Sequence, residues 1–131
     1  MDTIIIIGGG GHAKSCIDVI ENENKFKIIG IIEKKSKLNI DIDYPIYSED
    51  EDINFIKNKT NNILIGVGYI KNYQIRNELY LKYKSFGFKF PKIISPHSYV
   101  SKKVKIGDGT IVMHKSIINT NCTIGSNCII N

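Results

Sequence analysis

Residues 3–20 read TIIIIGGGGHAKSCIDVI. Ile4 to Ile7 form an unbroken apolar run, the pattern of a strand buried on both faces. Gly8 to Gly11 follow, and then Ala13, Cys16, Ile17 and Ile20 recur at helical spacing. Strand, glycine turn and helix make an anion site. Glycine lets the backbone pass close to a ligand, and the first turn of a helix presents unpaired N–H groups.

Three readings of this loop stand side by side. Gly8, Gly10 and Ala13 fit the dinucleotide fingerprint, whose third small position accepts alanine. The nucleotide P-loop requires glycine before its Lys-Ser pair. Here Ala13 precedes Lys14 and Ser15, so that pattern is missed by one residue. The third reading is a tight strand-to-helix turn with no ligand. Against it stand the four glycines, each costing roughly 0.5–1 kcal/mol relative to alanine where nothing requires it. His12 and Lys14 stand where a phosphate would touch them, or are solvated residues of a first helical turn. The favoured ligand is a phosphorylated or nucleotide-linked small molecule.

With 131 residues the chain has length for one domain with a core, or a small domain plus an appendage. A formal charge of +5 suits anionic ligands. The lysines are scattered and no aromatics alternate with them, which argues against a nucleic-acid partner. Cys16, Cys122 and Cys128 show no CxxC spacing. They fit small buried side chains in a reducing, cytoplasmic compartment and not a metal site. No charged leader with a cleavage site is present, and no apolar run approaches ~18 residues, so no membrane partner is expected.

Phe26 to Ile32 (FKIIGII) reads as a second buried strand. Glu33 at its end lies 25 residues after Gly8, near where a dinucleotide fold bonds a ribose hydroxyl. An acidic residue at a strand end is also commonly just solvated. Residues 33–43 read as a polar loop and 45–47 as a short edge strand. Residues 49–57 read as a weak helix with Ile53, Phe55 and Ile56 inward. Asn62 to Val67 is another buried strand. Gly68 follows, and residues 72–83 read as a helix in which Ile75, Leu79 and Leu81 alternate with Arg76 and Lys82; Ile70 and Tyr73 precede them. The start of that helix lies at the carboxyl end of a strand, so Asn72 and Arg76 are candidates for the same pocket. Capping and solvating the helix is the competing role for both. Residues 90–94 read as a last short edge strand or connector, with Pro91 inside it.

From Ile94 onward apolar residues recur every six positions: Ile94, Val100, Ile106, Val112, Ile118, Ile124 and Ile130. Thr110, Ser116, Cys122 and Cys128 precede the next member by two, where small side chains fit inside tight corners. Such a hexapeptide repeat builds a parallel β-helix from stacked coils. At three hexads to a coil, the last 38 residues supply about two coils. The repeat reaches Asn131 with no capping segment. The expectation is therefore a fragment, or a chain whose exposed coil is covered by a partner.

The chain resembles the sugar O-acyltransferases of the sialic acid O-acetyltransferase type, including bacterial enzymes that acetylate amino groups on nucleotide-linked sugars. The resemblance rests on IIIIGGGGHAKSCIDVI, on GVGYIKNYQIRNELY at 66–80, on SPHSYVSKKVKIGDGTIV at 95–112 and on IINTNCTIGSNCIIN at 117–131. It implies a small Rossmann-like parallel-sheet domain at residues 1–93 that holds the nucleotide sugar. The first coils of a left-handed β-helix would follow at 94–131. It also implies a trimer, with acetyl-CoA lying between neighbouring subunits, and a place in surface polysaccharide biosynthesis. Gly8, Gly9, Gly10, Gly11 and His12 match the nucleotide loop, Glu33 the acidic position, and Asn72 with Arg76 the second polar segment. Lys14, beside the loop, and Gly68, after the strand at 62–67, are further candidates for binding the substrate. His97 and Ser98 match the segment leading into the β-helix, and the linked nucleotide is expected to be a uridine diphosphate. The family's catalytic histidine falls after the point matching Asn131. No catalytic residue is therefore expected in this chain, no acetyl-CoA bound by it, and no catalytic role for His114. The competing expectation is a non-enzymatic binding or assembly module. A dinucleotide-dependent oxidoreductase is disfavoured by the hexapeptide half.

Overall fold

The computed structural model describes all residues from Met1 to Asn131. β1 (Asp2–Ile7), α1 (Gly11–Glu23), β2 (Phe26–Glu33), β3 (Ile46–Ser48), α2 (Ile53–Lys57), β4 (Ile63–Ile65) and α3 (Gln74–Ser85) form the first half. The sheet is parallel, with strand order β3-β2-β1-β4. β1 lies inside it, and its four isoleucines divide by pleat. Ile4 and Ile6 face α1 through Ala13, Cys16, Val19 and Ile20. Ile5 and Ile7 face Tyr80 and Tyr83 of α3 and Ile56 of α2. Helices on both faces explain why β1 carries no polar residue after Thr3.

α1 starts on Gly10 in an extended conformation and stops at Asn24, which takes the left-handed conformation and donates its N–H to Ile20 O. A 3-10 turn at Lys35–Lys37 breaks the loop after β2. β3 is the expected edge strand, shifted by one residue. α2 is shorter than the expected 49–57, because Asp52 caps it by accepting the Asn54 N–H at 2.7 Å. Ile56 points inward as expected, but Phe55 is exposed and stacks edge-on against Tyr47.

α3 corrects the expected inward face. Arg76, Tyr80 and Tyr83 are buried, whereas Ile70, Tyr73, Ile75 and Leu81 are exposed. The buried stripe runs at positions i, i+4 and i+7 but begins with a charged residue. A hydrophobic pattern therefore assigns it to the wrong side.

Residues 90–94 are not an edge strand of this sheet. Lys89 makes one parallel bridge to Asn62, Phe90 is buried against Tyr80, and Ile93–Ile94 already belongs to the repeat half. There β5 (Ile93–Ile94), β6 (Tyr99–Val100), β7 (Lys105–Ile106), β8 (Ile111–Val112), β9 (Ile117–Ile118), β10 (Thr123–Ile124) and β11 (Ile129–Ile130) each end on one member of the sixfold series. β5-β8-β11, β6-β9 and β7-β10 stack in parallel in three separate sheets. Partners such as Ile93 and Ile111 are 18 residues apart, one coil of three hexads. Gly109, Lys115, Asn121 and Asn127, also six apart, turn the corners with positive φ.

Thr110 and Ser116 are buried as expected for the small corner positions. Thr110 donates to Gly125 O at 2.7 Å and accepts the Cys128 N–H at 3.0 Å. Cys122 is exposed and Cys128 half-buried, contrary to the expectation of buried thiols, since both lie on the outer coil.

The halves share one core. Ile93, Ile111 and Met113 are buried in the same cluster as Ile4, Ile6 and the inner face of α1. No helix is long and apolar enough to cross a membrane.

Candidate functional site

A cleft of about 380 Å³ opens at the carboxyl ends of β1, β2 and β4. Its walls are the Gly8–His12 loop, the segment from Glu33 to Lys37, and the Gly66–Ile70 segment, with Ile75 and Leu79 behind. The chain order reverses direction across the sheet between β1 and β4, which is where an open parallel sheet offers a crevice.

The four loop glycines fall into two pairs. Gly8 has φ +107°, and a Cβ there would meet Val67 Cγ2 at 2.8 Å. A Cβ on Gly9 would collide with Ile40 Cδ1. The backbone itself requires glycine at Gly8, whereas at Gly9 the end of the Ile40 side chain would have to move. Gly10 and Gly11 are different, because a Cβ on either would meet nothing within 4 Å. The space they leave open is at the start of α1, where backbone N–H groups have no intrahelical acceptor.

Glu33 closes the loop from the opposite wall. Its Oε2 accepts the Gly9 N–H at 2.8 Å and its Oε1 the Lys34 N–H at 2.7 Å. His12 is half-buried, with Nε2 3.3 Å from Cys16 Sγ. Burial, and secondarily the charge of Arg76, hold its pKa below the usual histidine value. Gly68 packs on His12, and a Cβ there would stand in ordinary contact with it, 3.4 Å from the His12 Cβ.

Of the sequence candidates, Gly8 to His12, Glu33 and Gly68 thus meet at one cleft. Lys14 does not line it and is exposed on α1. Asn72 does not either; its Oδ1 accepts the Gln74 N–H at 2.9 Å and caps α3. Arg76 is fully buried beneath the wall, not open to the cleft. Lys34, Lys37, Tyr69 and Ile70 line the cleft and were not singled out by sequence. The signal for the lysines was their place directly after Glu33, on the crevice side of a strand end. Lys34 and Lys37 give the cleft mobile cations suited to an anion.

A second polar cluster joins α1 to the coils. His114 donates from Nε2 to Asp18 Oδ2 at 2.8 Å, and its Nδ1 accepts the Ser95 hydroxyl at 2.5 Å. The order Ser, His, Asp resembles a nucleophilic triad. Ser95 is only 1% exposed, however, so no substrate reaches its Oγ. That oxygen also accepts the His97 N–H at 2.9 Å, while Ser98 donates to Ser95 O at 2.7 Å. The row is a fastening between two elements. No group of three or more His, Cys, Asp or Glu side chains is placed to hold a metal ion.

Fold and cleft define a Rossmann-like α/β domain with an open crevice at its strand ends, continued by hexapeptide-repeat coils. Residues 3–83 match the PglD N-terminal domain, and the chain belongs to that family. Comparison with solved structures agrees. PerB from Caulobacter crescentus, in complex with CoA and GDP-perosamine, is 26% identical with a TM-score of 0.87 over 100% of this chain and 60% of its own. A histidine-to-asparagine mutant of perosamine N-acetyltransferase from the same organism, with the same two ligands, gives 26% and 0.88 at the same coverage. The acetyltransferase domain of PglB from Neisseria gonorrhoeae, at 23% identity and a TM-score of 0.82, shares the fold over 100% of this chain and 62% of its own. The chain thus spans about 60% of the length of these relatives. Comparison with curated proteins found no match.

Proposed function

We propose that this chain is the nucleotide-sugar-binding portion, residues 1–93, and the first coils, residues 94–131, of a CoA-dependent sugar N-acetyltransferase. The observation that carries the reading is the pair Gly10 and Gly11, whose missing side chains no protein atom replaces. A diphosphate set against them would accept the free N–H groups of α1, with Lys34 and Lys37 in reach of its charge. Glu33 is the acceptor available to a ribose hydroxyl, and Tyr69 and Ile70 offer an apolar wall to a base or sugar. An amino sugar is favoured over a sialic-acid-like acceptor, because the two relatives at 26% identity are named for perosamine. Acetyl-CoA would supply the acetyl group; no step of that transfer is assigned to residues of this chain. Three free thiols support a reducing, cytoplasmic setting.

Calorimetric titration with GDP-linked and UDP-linked amino sugars, and separately with CoA, tests this. Saturable binding of a nucleotide sugar is expected. Failure to bind either nucleotide class would remove the reading.

A second, compatible reading concerns assembly. Tyr99 and Ile117 stack on the β6–β9 face and are 59% and 76% exposed. An apolar pair on a coil face supports contact with other copies of the chain, the trimer that its family resemblance implies.

A further inference from the structure

Arg76 heads the largest fully buried side chains of the molecule. Its three hydrogen bonds all go to backbone carbonyls: Nε to Asn127 O at 2.9 Å, and Nη1 to Ile65 O at 2.5 Å and Val67 O at 3.0 Å. Nη2 is buried and has no partner. No carboxylate pairs with it, since the one ion pair of the molecule joins His114 and Asp18. The nearby titratable groups are Tyr69, with its ring 6.0 Å from the guanidinium carbon, and His12, Cys16 and Cys128. Burial pushes the Cys16 thiol up to about 12, so it stays neutral and gives no counter-charge.

A buried cation without an anion is costly to the fold. The three carbonyl ties use only Nε and Nη1 and leave the charge and Nη2 unanswered. The charge therefore needs another reason, and its position suggests one. Arg76 lies directly under Val67 and Tyr69, which form one wall of the cleft, and across from His12, which forms another.

We propose that Arg76 is a positioning residue for the anionic part of the cleft's ligand. Its uncompensated charge, set beneath the Gly66–Tyr69 wall, draws a diphosphate to the start of α1. Its carbonyl contacts meanwhile fix that wall to the coil corner at Asn127. This rests on the cleft reading above and adds the device that selects charge. In a low-dielectric setting a buried cation acts at longer range and with less salt screening than the exposed Lys34 and Lys37.

The test is calorimetry of GDP, UDP, guanosine and uridine against the wild-type chain and three variants. Arg76→Gln is expected to weaken the nucleoside diphosphate by about tenfold or more while changing the parent nucleoside far less. Arg76→Lys keeps the charge and should keep the wild-type ratio of diphosphate to nucleoside affinity. Lys34→Gln combined with Lys37→Gln removes the exposed cations of the cleft and leaves Arg76 in place. The preference for diphosphate over nucleoside should persist in it and change little between low and high salt, which keeps the test decisive if Arg76→Gln does not fold. An equal loss for nucleoside and diphosphate in Arg76→Gln, or a preference abolished in the lysine variant, would show a purely structural arginine and overturn the proposal. Failure of the wild-type chain to bind any of the four would overturn the cleft reading and this one together.

Discussion

Gly8 and Gly11, at the two ends of one loop, answer to different masters. Gly8→Ala would force a side chain into positive φ and against Val67, and should cost about 1–3 kcal/mol of stability, read as a lowered urea midpoint. Gly11→Val meets open space, so it should leave the fold close to wild type apart from a helix-propensity change of a few tenths of a kcal/mol. Its loss should appear instead in nucleotide-sugar affinity, by tenfold or more on the order of one blocked hydrogen-bonded contact. Gly11→Val with unchanged affinity would place the ligand elsewhere. His12 carries a pH signature. Its folded pKa lies below the unfolded value of 6.5, so below that pH the unfolded chain takes up a proton that the native chain resists. Stability should therefore fall as pH drops through 6.5 toward the folded value, and His12→Gln should flatten that slope. Parallel urea titrations from pH 7.5 to about 5.5 measure the difference between the two chains.

α1 is the element on which both halves bear. Its inner face packs on β1, Asp18 meets His114, and Glu23 Oε2 accepts the Ile94 N–H at 3.0 Å. These fastenings differ in strength. Asp18 is 63% exposed on its side chain, so Asp18→Ala should cost less than about 1 kcal/mol. Ile111→Ala removes a fully buried side chain from the shared cluster and should cost about 2–5 kcal/mol. Thermal melts of the two variants give the comparison, and similar costs would mean that the polar contact, not packing, holds the coils to α1. The elements were legible wherever a period was long or clean. Ile4–Ile7 announced a central strand, and the sixfold series from Ile94 to Ile130 marked the last residue of every coil strand. α3 was legible as a helix but not in orientation. Its buried row begins with Arg76, and pattern reading counts arginine as outward. The same choice hid how Arg76 relates to the cleft, because a tie from α3 to a coil corner 51 residues away leaves no local signal. Lys34 and Lys37 were hidden for the opposite reason: they sit in a loop whose polarity looked sufficient as an account of itself.

For the whole molecule the question is which surfaces are finished. The sheet half is covered by helices on both faces, but the β6–β9 face presents Tyr99 and Ile117 outward. If copies meet there, Ile117→Lys should shift the protein toward monomer in sedimentation at micromolar concentration without changing its melting point under monomeric conditions. A mass unaffected by the substitution would free that face of any assembly role.

Ile93, Ile111 and Met113 close the same cluster as Ile4, Ile6 and Leu64. A boundary drawn after residue 93 is thus a seam in the pattern of the chain and not in its energy. Heating should produce a single cooperative transition in calorimetry, with no separate step for the coils. Residues 1–93 expressed by themselves would leave one side of α1 in water, where it would favour aggregation over an independent fold.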